Sequence, residues 1–149
     1  MRPNGLQLSR RHRAWLYGSF AMLWLSGCLW LAAQWCRSQA AHAVDDVQRL
    51  AHLALQVHGA AAMAALVLLG TLVPLHMQRG WQADRNRRNG LMLIVVNGVL
   101  ILTGYGLYYA GGERWRAASQ WTHNVVGGLV PLLIVWHIRA GRCTRPRRR

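Results

Sequence analysis

The residues of this chain with the most chemistry to offer are its histidines. There are seven: His12, His42, His52, His58, His76, His123 and His137. His58 and His76 lie in one long uncharged run, and His123 and His137 lie in another. In an α-helix each residue turns ~100° and rises ~1.5 Å, so the step from 58 to 76 makes five whole turns and keeps both imidazoles on one face. The step from 123 to 137 falls ~40° short of four turns, which is still one face. A single uncharged run separates the two, so their helices point the same way. His58 and His123 then share one half of the helices' length, and His76 and His137 share the other. Imidazole nitrogen is a good ligand for iron, and four imidazoles matched in depth on two parallel helices suit a specific task. They can clamp two flat metal macrocycles, each between an axial nitrogen above and one below. The expected cofactor is therefore haem b, two per chain or one.

The elements that must carry these side chains follow from the charge pattern. Of 149 residues 53% are hydrophobic, and the 18 cations, all arginine, face only 4 acidic residues. The arginines cluster between four uncharged runs, 14–36, 50–78, 89–112 and 117–138. Each run reaches the ~20 residues needed to cross a hydrocarbon layer of ~30 Å. In lipid an open strand would leave its backbone groups unpaired, so all four are expected as helices. The alternating pattern of a membrane barrel is not seen in them. The expected fold is an all-α, integral membrane four-helix up-down bundle over 14–140, with a basic arm at 1–13 and an arginine-rich tail at 141–149. Fourteen of the eighteen arginines fall in the arm, in the 79–88 connection and after residue 138. By the positive-inside rule those segments, and both termini, are cytoplasmic. Trp15, Trp81 and Trp136 then lie near the inner interface, and Trp35, Trp115 and Trp121 near the outer one, as an aromatic belt requires.

Several chemistries drop out. No Asp or Glu lies inside any of the four runs, which removes paired carboxylates, acidic proton relays and Ser-His-Asp catalysis from the bilayer interior. Cys28 and Cys36 stand eight apart on one helix and cannot meet without unwinding it, and Cys143 belongs to the opposite side. The segment Leu25-Ser26-Gly27-Cys28 has the form of a lipoprotein cleavage site, but the apolar run continues past it through Leu29-Trp30-Leu31, which favours an intact span. Ser9-Arg10-Arg11 is followed by His12 and Arg13, where a twin-arginine signal would turn apolar. The basic tail reads as a topology anchor, and no nucleic-acid partner is expected.

With these residues in view, the chain resembles the small four-helix transmembrane b-type cytochromes of bacteria, the haem-carrying membrane partners of respiratory dehydrogenases and hydrogenases. Among these it is similar to the flavinylation-associated cytochromes. The resemblance rests on His58-Gly59, Pro74-Leu75-His76, Thr103-Gly104, His123 and His137-Ile138-Arg139, and its layout covers roughly residues 14 to 140. One departure is visible. Cytochromes of this type tend to show similar spacings on their two ligand helices, whereas here they are 18 and 14. Pro74 could kink the second helix and absorb part of the difference; otherwise the inner site is distorted, which makes His58/His123 the stronger pair.

The resemblance implies transmembrane electron transfer, from a quinone or redox partner protein at one face to an acceptor at the other, in the bacterial inner membrane. It implies an electron-transfer subunit of a larger oxidoreductase more than a stand-alone enzyme. Arg139 and Arg79 are candidates to pair with inner haem propionates, and Arg49, Arg114 and Arg116 with outer ones. The rival expectations are a non-haem membrane anchor or assembly subunit whose histidines bridge helices, and a metal transporter. The transporter is disfavoured because hard or borderline cations usually recruit an intramembrane carboxylate.

Overall fold

The computed structural model describes residues 9–39, 45–72, 77–78 and 87–143. Four long helices account for nearly all of them: α1 Arg10–Gln39, α2 Asp45–Leu72, α3 Arg87–Tyr109 and α4 Glu113–Cys143. Strands are absent among the described residues. All four helices are long and apolar enough to cross a membrane, so the chain is an all-α protein of four membrane-spanning helices. They fall into two units, 1–78 carrying α1 and α2, and 79–149 carrying α3 and α4.

The helices run past the uncharged segments, because backbone pairing does not stop where lipid does. Ser9 caps α1: its Oγ accepts the backbone N–H of His12 at 3.1 Å, satisfying one of the orphan donors of the first turn. The cap draws Arg10, Arg11, His12 and Arg13 into helix, so residues 10–13 of the segment expected as an arm belong to α1, and residues 1–8 lie outside the described residues. Asp45 and Asp46 open α2, and Glu113 opens α4. A negative charge in the first turn complements the helix dipole, which extends both helices upstream of the apolar runs. Between α3 and α4 only Ala110, Gly111 and Gly112 intervene, a connection short enough to force antiparallel neighbours.

In the first unit the α1–α2 contact is built from small residues. Ala51, Ala54, Ala61 and Ala65 are buried on α2, and with His58 between them the steps alternate three and four. That is one continuous stripe of a helix packed against a neighbour. Leu16, Ser26 and Ala33 are buried on α1. Cross-helix partners advance on one helix as they retreat on the other: Ser26 meets His58, and His12 meets Thr71. The pair is antiparallel. Alanine brings the backbones close, which is how membrane helices gain van der Waals contact without a hydrophobic driving force between them.

The second unit follows the same rule. Val130 is buried on α4. A Cβ built on Gly127 of α4 would lie 3.7 Å from the Leu100 side chain of α3, and one on Gly106 would lie 2.6 Å from Ser119 Oγ. Here glycine is what permits the close approach. Large apolar side chains point the other way: Leu102 is 72% exposed, Val67 71% and Leu132 67%. Such surfaces in water would drive aggregation, whereas in hydrocarbon they are the lipid contact.

Candidate functional site

His58 stands on the alanine stripe of α2 and turns its Nδ1 edge onto α1. Nδ1 lies 3.0 Å from the Leu23 carbonyl oxygen and 3.1 Å from Ser26 Oγ. A carbonyl can only accept, so Nδ1 carries the proton. The serine hydroxyl is engaged on its own helix, donating to Met22 O at 2.6 Å with Leu23 O at 3.1 Å, so it too accepts from Nδ1–H. With the proton on Nδ1, the ligating lone pair of the neutral ring is on Nε2. A Cβ at Gly27 would sit 3.4 Å from Cε1, the carbon joining the two ring nitrogens. The residue after Ser26 is thus the one beside which the imidazole packs.

His123 repeats this construction in the second unit. Its Nδ1 lies 3.0 Å from Thr103 Oγ1 on α3. Thr103 Oγ1 lies 2.7 Å from Val99 O and 3.2 Å from Leu100 O; a hydroxyl donating there accepts from Nδ1–H, the tautomer that leaves the lone pair on Nε2. A Cβ at Gly104, the residue after Thr103, would lie 3.5 Å from His123 Cε1. Both hairpins therefore place a hydroxyl and then a glycine on the first helix, opposite a half-buried histidine on the second. One such histidine seat stands in each unit.

The remaining sequence candidates divide. His137 is half-buried on α4 with Nδ1 shielded from solvent. It lies two heptads beyond His123, with Val130 midway, so all three share a stripe. Pro131 interrupts the hydrogen-bond ladder between the two histidines, because proline offers no N–H to the Gly127 carbonyl. Arg139 is exposed and helical two residues further on, and Arg49, Arg114 and Arg116 are likewise exposed at helix ends. His76, Pro74, Arg79 and Trp81 lie outside the described residues. His12 and His52 are held otherwise. His12 Nε2 is 3.2 Å from Thr71 Oγ1, and His52 Nε2 is 3.3 Å from the side-chain nitrogen of Gln56.

The donor set fits haem. Among the described residues no three His, Cys, Asp or Glu side chains gather where they could hold a bare metal ion. A porphyrin supplies four nitrogens of its own and asks the protein only for axial ligands. A histidine with Nδ1–H held by an acceptor, Nε2 carrying the lone pair and a glycine beside the ring meets that requirement. Sequence reasoning met Ser26 only within a cleavage-like segment and Thr103 only through the resemblance, and it did not weigh Pro131. The shared signal was legible: a small hydroxyl followed by glycine, once in each odd-numbered helix. No protein-family model, curated protein or solved structure matches the chain.

Proposed function

We propose that the chain is a b-type cytochrome of the bacterial inner membrane, binding haem between its second and fourth helices and passing electrons across the bilayer. The observation that supports this most is the twin arrangement of His58 and His123, each with Nδ1 within hydrogen-bonding distance of a hydroxyl on the neighbouring helix. Bridging histidines of a plain anchor would need only the hydrogen bond. They would not need the same hydroxyl and flanking glycine in both hairpins.

In this reading His58 and His123 would hold haem iron through Nε2, and His76 and His137 would hold a second haem nearer the cytoplasmic face. Arg139 offers its guanidinium to an inner propionate, and Arg49, Arg114 and Arg116 offer theirs on the outer side, where charge-assisted hydrogen bonds orient the macrocycle. Bound haem supplies one-electron exchange between ferrous and ferric iron. The chain itself orients the imidazoles, holds a proton on each Nδ1 and keeps water away with the apolar helix faces. A quinone or a redox protein is the donor or acceptor, within a larger oxidoreductase.

The test is spectroscopic. Membranes containing the full-length chain should show a dithionite-reducible b-type haem spectrum. His58→Ala and His123→Ala should each remove the outer-haem part of it while the protein remains membrane-inserted. Variants that insert normally and keep all their haem would overturn the assignment and leave the anchor reading.

A further inference from the structure

Resting on the haem reading above, we infer that Ser26 and Thr103 are positioning residues. Each fixes one ligand histidine in its Nδ1–H form, and each sets the electron density that its Nε2 gives to iron.

Four observations carry this. Both hydroxyls lie within hydrogen-bonding distance of an imidazole Nδ1, at 3.1 Å for Ser26 and His58 and 3.0 Å for Thr103 and His123. Both hydroxyls spend their single proton on their own helix, at 2.6 Å to Met22 O and 2.7 Å to Val99 O. Such back-bonding turns a hydroxyl from a donor into an oriented acceptor. Ser26 is 5% exposed, which makes its orientation hard to change. Finally, each hydroxyl directly precedes the glycine against which the ring rests, so one helical turn supplies both the acceptor and the space.

The consequence is chemical. An imidazole whose Nδ1–H donates to a good acceptor gains partial imidazolate character and becomes a stronger donor at Nε2. That favours ferric over ferrous iron, so both seats hold the potential down. The seats are not identical, because the Leu23 carbonyl also accepts from His58 Nδ1 at 3.0 Å. Removing the Ser26 hydroxyl therefore weakens the donation, whereas the proton stays on Nδ1.

The experiment uses the full chain in lipid nanodiscs with 15N-labelled histidine, the ring signals being assigned by single His→Gln variants. In haem-free protein, His58 and His123 should both show the Nδ1–H tautomer. Thr103→Val should convert His123 to a mixture of tautomers, and Thr103→Ser should restore it. Ser26→Ala should leave His58 in the Nδ1–H form with its Nδ1 proton shifted upfield. Haem-loaded Thr103→Val and Ser26→Ala should each have a midpoint potential above wild type. Protons on Nε2 in the wild type, unchanged ring signals in both variants, or unchanged potentials would overturn the inference. A wild-type chain that takes up no haem would instead overturn the electron-carrier reading, and the ring signals, read without haem, distinguish the two failures.

Discussion

Thr103 Oγ1 lies 3.0 Å from His123 Nδ1 while giving its own proton to Val99 O at 2.7 Å. The threonine is thus an acceptor aimed across the helix pair, and the imidazole is held through Nδ1, away from Nε2. The Ser26–His58 pair has the same construction in the other hairpin. Neither relationship needs a charged group, which is how a ligand can be oriented within hydrocarbon at low desolvation cost.

The glycines beside the rings should be limited in what they accept. A methyl at Gly27 or Gly104 would make ordinary contact with Cε1, at 3.4 and 3.5 Å. Gly27→Ala and Gly104→Ala should keep most of the haem absorbance. Gly27→Leu and Gly104→Leu should lose the outer-haem part of it by pushing the ring aside, with helix content by circular dichroism unchanged. Retention of full absorbance in the leucine variants would show that the rings do not depend on that space.

The alanine stripe should be the stability determinant of the first unit. Ala54 is 3% exposed, and Ala54→Leu should overpack the α1–α2 contact at a cost of about 1–3 kcal/mol. Leu53 on the neighbouring face is 57% exposed, so Leu53→Ala should cost little. Thermal unfolding in detergent compares the two; equal losses would mean that the stripe is not the packing surface.

Much of this fold was legible from sequence because the bilayer simplifies the problem. Runs free of charge announce four spans, and the backbone must be helical inside lipid. The ends were less legible, since Ser9, Asp45 and Glu113 extend three helices beyond the apolar residues by capping and dipole effects that hydropathy does not register. The histidines stood out by periodicity on their own helices. Their acceptors did not, because Ser26 and Thr103 contact them across 32 and 20 positions of chain. A cross-helix hydrogen bond has no period to read. Only the antiparallel register, fixed by packing, reveals it.

Pro131 should matter to the inner site more than to the outer one. It leaves the Gly127 carbonyl without its helical donor, and such breaks are tolerated in membrane helices while bending them. Pro131→Ala should give the Gly127 carbonyl its helical donor, change the angle between His123 and His137, and alter the inner haem spectrum with the outer one preserved. Two unchanged haem signals would show that the proline has no part in setting that angle.

Topology follows from arginine placement. Reporter fusions at residue 149 and within 79–88 should report cytoplasm, and one after Gly111 the opposite side. A cytoplasmic signal from the Gly111 fusion would invert the orientation and exchange the inner and outer labels of both haems.

Haem counted per purified chain tests the central claim most directly. The expected value is two for wild type, one for His137→Ala with the His58/His123 spectrum intact, and one for His123→Ala with the inner spectrum intact. A well-folded wild-type protein purified with no haem, and taking up none when supplied with it, would contradict the account.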